Sequence, residues 1–198
     1  MKRIVPDDFK KFHDNGCMPS ARIVYFGSDS YGDDGYGESG VDFSSAATII
    51  KNLLYLDDRS NKPIIIHYNS PGGDWDRGIA VYDCIKGLRS QVIIIGYGCV
   101  RSMGTVIMQA CSQRCLTPNC RFMIHDGTFG VYGTQEDTWR NAKEGEVVRG
   151  IMHDIYLEKM QEVDEHITKG KIRKMCEHDY YMSGQKAVDI GLADEVLS

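Results

Sequence analysis

Between residues 62 and 113 the chain runs twice through one cycle: a β-branched apolar run, a glycine-bearing stretch, then apolar residues at helical spacing. Lys62-Pro63-Ile64-Ile65-Ile66-His67-Tyr68 leads through Asn69-Ser70-Pro71-Gly72-Gly73 into Gly78-Ile79-Ala80-Val81-Tyr82-Asp83-Cys84-Ile85. Val92 to Ile95 leads through Gly96-Tyr97-Gly98-Cys99-Val100-Arg101-Ser102-Met103-Gly104 into Thr105-Val106-Ile107-Met108-Gln109-Ala110. Strands joined through helices pair in parallel, so the repetition predicts an α/β fold with crossover helices. Arg22 to Phe26 and Arg121 to His125 read as further strands of the same sheet.

A chain of 198 residues, 42% hydrophobic and 26% charged, fits one domain with a sizeable core. Its net charge of -5 gives no electrostatic footprint for nucleic acid. No apolar run approaches a membrane span, and the basic start has no apolar stretch behind it to act as a signal peptide. Seven cysteines form no C-x-x-C pair and lie mostly in apolar stretches, which reads as reduced packing residues of a cytoplasmic protein. Cys111, Cys115 and Cys120 have an atypical spacing for zinc, and no metal is expected.

Residues 1–20 are polar and read as a mobile arm with one helical turn around Asp8 to Phe12. Residues 27–40 are too rich in glycine and acid to pack and read as a solvated loop. Asp42 or Ser44 caps a helix whose apolar positions are Ala46, Ile49, Ile50, Leu53 and Leu54. His67, inside an apolar run, reads as a packed core histidine. Residues 134–167 read as one long helix with Val148, Ile151, Met152, Ile155, Tyr156, Met160, Val163 and Ile167 along a stripe. Few internal elements remain to cover it, so it is expected to project and pack against another subunit. A shorter helix, 172–176, precedes Glu177-His178-Asp179-Tyr180.

Ser102 falls where a strand hands over to a helix. Taken alone, the stretch from Gly96 to Gly104 favours a helix cap, since serine is a preferred N-cap residue. The same place suits a nucleophile: first-turn N–H groups such as that of Met103 have no intrahelical acceptor and can stabilise a developing oxyanion. His125, at the end of its strand, is by itself more often structural than catalytic.

Asn69-Ser70-Pro71-Gly72-Gly73, Ser102-Met103-Gly104, Pro118-Asn119-Cys120-Arg121-Phe122-Met123-Ile124-His125, Gly133 with Asp137, and Asp179 through Val196 occur in order. Together they resemble the Clp protease proteolytic subunit family, over residues 21–198, with 1–20 left as an N-terminal arm. The resemblance implies a crotonase-like α/β fold of ββα units with a long handle helix, about 134–167. It also implies a serine endopeptidase of unfolded polypeptides and short peptides, enclosed in heptameric rings, two of them stacked, and needing no cofactor. An AAA+ unfoldase of the ClpX or ClpA type would be the ATP-using partner; neither nucleic acid nor membrane is expected. By resemblance, Ser102 matches the nucleophile, His125 the general base and Asp179 its orienting carboxylate, while Gly73 and Met103 match the backbone donors of the oxyanion hole. Gly72, Asp74, Trp75, Gly127 and Thr128 match segments flanking an extended peptide, and Asp137 with His178 match a ring-to-ring contact.

Four departures carry expectations. Asp74-Trp75-Asp76-Arg77 stands where the family has apolar or small residues, which biases cleavage toward basic peptides. Arg101 replaces a small residue before the serine, and either narrows the pocket, holds a carboxylate or turns to solvent. His178 replaces an arginine, so stacking through Asp137 would strengthen below the ordinary histidine pKa of about 6.5. The arm does not match the family's axial loops. The alternative to an active peptidase is a non-catalytic ring subunit with a structural role, against which the presence of all three triad residues argues. Acyl-CoA chemistry on the shared fold lacks its acids, and a Ser-Lys pair lacks a lysine between Arg89 and Arg140.

Overall fold

Runs of isoleucine and valine build the strands, and side-chain caps fix where the covering helices begin. The structure, a computed structural model, describes residues 6–27, 40–128, 130, 131 and 133–198. In chain order the elements are α1 (Pro6–Asn15), β1 (Cys17–Met18), β2 (Ile23–Gly27), α2 (Phe43–Arg59), β3 (Ile64–Ser70), α3 (Trp75–Gly87), β4 (Val92–Arg101) and α4 (Met103–Met108). They continue with β5 (Gln113–Leu116), β6 (Arg121–Ile124), α5 (Gln135–Gln161), α6 (Lys169–Cys176), β7 (Tyr180–Ser183), α7 (Gly184–Asp189) and β8 (Glu195–Val196). This is the mixed α/β architecture, rich in parallel pairing, that the repeated cycle predicts.

The sheet runs β1-β2-β3-β4-β5-β8, with β6 joined to β4 and β7 to β6. Pairings within the β2-β3-β4-β5-β8 path are parallel, and β1 and β7 are antiparallel to their neighbours. β4 divides its edge: Ile93 to Gly96 pair with β5, and Cys99 to Arg101 with β6. The glycines Gly96 and Gly98 do not turn the chain out of the sheet, because β4 continues across them. What they absorb is a bulge: Tyr68 faces Gly96 but Ser70 faces Val100, and Gly98 takes a positive φ of 59°. Asn69 Oδ1 accepts from the Cys99 N–H across the irregularity at 3.3 Å.

Burial alternates along β3, with Ile64, Ile66 and Tyr68 inside. His67 is thus on the other face, with Nδ1 2.7 Å from the Tyr97 hydroxyl, and is not the core histidine expected. Asp42 caps α2, accepting from the Ser45 N–H while the Ser45 hydroxyl accepts from Asp42 N–H. α2 buries Ala46, Ile49, Leu53 and Leu56 and leaves Leu54 exposed, against the expected stripe. Full burial of a side chain such as Leu53 or Ile66 contributes about 1.5–3 kcal/mol.

Residues 6–20 are more ordered than expected. α1 spans ten residues, Cys17 is buried, β1 pairs with β2, and Asn52 donates to the Asn15 carbonyl at 2.8 Å. Residues 1–5, and all of the acidic stretch except Gly27 and Gly40, lie outside the described residues. α5 ends at Gln161, short of the expected 167, and Thr168 caps α6 separately. Met152, Tyr156 and Met160 of α5 are buried, whereas Trp139, Val147 and Ile151 are exposed. Among the described residues, which include all seven cysteines, no disulfide forms, and burial pushes the thiols of Cys115, Cys120 and Cys176 up to about 12. Among the described residues no helix is long and apolar enough to cross a membrane.

Candidate active site

Two ladder registers bring three distant side chains together. β4 pairs with β6 so that Arg101 faces Met123, which sets Ser102 beside the end of β6. β6 pairs with β7 so that Ile124 faces Tyr180, which sets His125 across from Asp179. The result is a continuous line: His125 Nε2 lies 2.8 Å from Ser102 Oγ, and His125 Nδ1 lies 2.9 Å from Asp179 Oδ1. A carboxylate only accepts, so Nδ1 carries the proton toward Asp179 and Nε2 is left to accept from the serine hydroxyl. The Tyr181 hydroxyl donates to the other Asp179 oxygen at 3.4 Å.

Ser102 has φ 50° and ψ -128°, an uncommon conformation for a residue with a side chain. It marks a sharp strand-to-helix turn that pushes the hydroxyl outward. The turn is pinned by its own backbone: Ser102 N–H donates to the Met123 carbonyl at 2.8 Å. The Ser102 carbonyl accepts from the Thr105 N–H at 2.9 Å and from the Thr105 hydroxyl at 2.7 Å. Thr105 Oγ1 also lies 2.6 Å from the Tyr156 hydroxyl, tying the start of α4 to α5. Ser102 makes no side-chain cap, so the local reading of a capping serine is corrected: its Oγ is turned to His125.

Gly72 and Gly73 adopt φ of 107° and 146°. A Cβ on Gly72 would stand 2.6 Å from the Ser102 Cβ, so only glycine lets this backbone lie against the serine. Val41 straps the segment down, its N–H donating to the Gly72 carbonyl at 2.6 Å and its carbonyl accepting from Asp74 N–H at 2.8 Å. Met103, buried, opens α4 next to Ser102.

A cleft of about 840 Å³ lies over this line, bordered by Gly73, Trp75, Ser102, His125, Gly127 and Thr128. Val106, Val148 and Met152 give it apolar wall, and Asp74, Asp76, Glu144 and Glu177 an acidic margin. Asp74 is also the N-cap of α3, accepting from the Arg77 N–H at 2.9 Å. Arg101 does not line this cleft, and among the described residues it makes no ion pair. Its guanidinium lies 5.7 Å over the Tyr181 ring, and its buried Nε has no hydrogen-bond partner among the described residues.

Asp137 closes a capping box with Thr134 at the start of α5, and the Thr134 hydroxyl and N–H hold its carboxyl below the usual carboxylate range. His178 is exposed between α6 and β7, and among the described residues no hydrogen bond or ion pair joins it to Asp137. Cys111, Cys115 and Cys120 form no common ligand set. Among the described residues the group that could surround an ion is Asp126, His153 and Cys176. Sequence reading missed Asp126 and His153, which sit 2.7 Å apart directly behind the candidate base. The one available signal was that Arg149 and His153 share a helix face at i, i+4 spacing.

A family model described as Clp protease matches residues 37–198. The chain is 34% identical over 160 residues to the ATP-dependent Clp protease proteolytic subunit of Deinococcus radiodurans, covering 79% of this chain and 76% of that one. It is 33% identical over 181 residues to the ATP-dependent Clp protease proteolytic subunit 3 of a Synechococcus species, covering 89% and 82%. The same identity and coverage relate it to the subunit 3 of Parasynechococcus marenigrum.

Proposed function

The chain belongs to the Clp protease family, and from that premise we propose that it is a serine endopeptidase acting on unfolded polypeptides and short peptides. The observation that carries the reading is the hydrogen-bonded line from Ser102 through His125 to Asp179, at 2.8 and 2.9 Å. In this mechanism His125 Nε2 takes the hydroxyl proton as Ser102 Oγ bonds to the scissile carbonyl carbon, and then delivers that proton to the leaving amine. Asp179 fixes the tautomer and stabilises the imidazolium without becoming protonated. The acyl-enzyme is hydrolysed by a water that His125 deprotonates in turn.

The negative charge on the tetrahedral oxygen falls to the backbone N–H groups of Gly73 and Met103. Each such donor is worth about 10²–10³ in rate. An extended peptide adds as a strand between the segment after Gly73 and the segment at Gly127 and Thr128, recognised mainly through its main chain. That mode tolerates many sequences, which suits unfolded chains.

The remaining family expectations are part of the same proposal: a peptidase domain over 21–198, heptameric rings stacked through α5 with Asp137 and His178 at the contact, and an AAA+ partner that spends the ATP. The exposed Trp139, Val147 and Ile151 on α5 support a covered helix in the assembly. The test is fluorophosphonate labelling of the full chain with mass-spectrometric mapping, beside hydrolysis of a fluorogenic peptide. Label on Ser102, with both label and hydrolysis lost in Ser102→Ala, is the expected result. A chain that neither labels nor cleaves leaves the non-catalytic ring subunit as the better reading.

A further inference from the structure

Immediately behind His125 lies a polar pair, half-buried Asp126 and buried His153, that the mechanism above does not use. Asp126 follows His125, and its Oδ1 accepts from His153 Nε2 at 2.7 Å, with the His153 side chain only 4% exposed. The second oxygen, Oδ2, lies 3.7 Å from the Arg149 guanidinium, one turn earlier on the same face of α5. The backbone of Asp126 is committed as well, its N–H donating to the Cys176 carbonyl at 2.8 Å. Cys176 ends α6, three residues before Asp179. One residue therefore joins the strand end that carries His125, the helix that supplies the Val148 and Met152 wall of the cleft, and the turn that carries Asp179.

The chemistry of the three neighbours favours a brace over an ion site. Nε2 and Oδ1 stand at hydrogen-bond distance with no room between them, and a guanidinium already faces the remaining oxygen. A charge-assisted bond from a nearly inaccessible donor is short, directional and costly to leave unmade, so it holds backbone in place better than an exposed pair does.

We propose that Asp126 and His153 form a positioning pair for the reaction, fixing the imidazole of His125 between Ser102 and Asp179 while themselves touching neither substrate carbonyl nor leaving group. This rests on the serine peptidase reading. Proton transfer requires the base within hydrogen-bond reach of its partners, and a displacement of about 1 Å costs roughly 100-fold in rate. Loss of the brace therefore lowers turnover and leaves peptide binding, which depends on the cleft walls and backbone, largely intact.

The experiment measures kcat and KM on one fluorogenic peptide for the full chain and for His153→Leu, His153→Gln and Asp126→Asn, with thermal midpoint and native mass for each. Glutamine places an amide N–H where Nε2 stood; leucine does not. Expected are a fall in kcat of about 10- to 100-fold in His153→Leu with KM within about twofold, and kcat restored to within about threefold in His153→Gln. Asp126→Asn keeps an acceptor for His153 but loses the charge, and falls in between, which keeps the test open if the leucine variant does not fold. Unchanged kcat in His153→Leu or Asp126→Asn, equal losses in the leucine and glutamine variants, or a loss confined to KM overturns the proposal. A wild-type chain that cleaves no peptide and takes no fluorophosphonate is a different failure: it removes the serine peptidase reading, and the brace falls with it.

Discussion

Gly72 packs against Ser102 so closely that a single added methyl would sit 2.6 Å from the serine Cβ, at a φ of 107° that residues with side chains rarely adopt. Gly72→Ala must therefore move either the strap bound to Val41 or the nucleophile itself. The expected outcome is a loss of about 100-fold or more in kcat/KM, with native mass retained. Peptide kinetics beside mass measurement check it, and near-normal turnover in this variant would mean the segment does not approach the reacting carbonyl.

Asp179 stands where it fixes which nitrogen of His125 bears the proton. Asp179→Asn offers an amide that can donate to Nδ1 and so favours the wrong tautomer. Hydrolysis is expected to fall by roughly 10²–10⁴. Labelling of Ser102 slows in parallel, because the hydroxyl loses its proton acceptor. A stopped assay with fluorophosphonate at several times measures both effects in one preparation.

The cleft margin carries Asp76, Glu144 and Glu177, none of which makes an ion pair with another described side chain, above walls that include Val106 and Met152. Lysine and arginine present an aliphatic stem and a cationic tip to such a surface. Matched peptides differing at one residue are expected to show kcat/KM about tenfold higher for lysine or arginine than for glutamate, the ratio shrinking with added salt as the charges are screened. Equal rates for basic and acidic peptides remove this specificity and leave the catalytic reading standing.

Asp57 joins the end of α2 to the turn before β4, accepting from Ser90 N–H at 2.8 Å and from Arg89 Nε at 3.3 Å. Burial by itself raises its carboxyl pKa, yet the bonds from Ser90 and Arg89 outweigh that and bring it down to about 2. A pKa depressed below its unfolded value of about 3.9 stabilises the fold above that value, and the contribution is lost as pH falls toward 2. Asp57→Asn is expected to lower stability at pH 7 by about 1.5–3 kcal/mol, the range for hydrogen bonds to a charged group. Denaturant titrations at pH 7 and near pH 2 check the sign: the gap between wild type and variant closes at the acid end.

The strands were legible because runs such as Ile64 to Ile66 and Val92 to Ile95 leave a chain little alternative to a buried sheet. The continuation of β4 was not, since Gly96 and Gly98 carry the same composition whether they turn a chain or absorb a bulge, and only the neighbour strand decides. The full length of α1, beyond the single turn expected around Asp8 to Phe12, was not legible because its order comes from contacts such as Asn52 with Asn15, not from an apolar stripe. Leu54 and Leu56 sit two positions apart on α2, and which of them faces inward depends on how the helix rolls against the sheet. Ser102 misled locally for a physical reason: a capping serine and an exposed nucleophile occupy the same strand-to-helix junction, and they separate only once an imidazole arrives from elsewhere in the chain. Asp126 and His153 show the same limit, each unremarkable until folding sets them against one another.

Because β4 gives the first half of its edge to β5 and the second to β6, the strand that leads into His125 is the one beside the end where Ser102 emerges. The apolar wall of the cleft, Val106, Val148 and Met152, comes from α4 and α5 and not from the triad residues. On the proposed reading, the cleft that would hold an extended chain is thereby separable from the atoms that would cut it. Replacing the serine should yield a subunit that still grips peptides, and evolution could discard the scissors while keeping the hand.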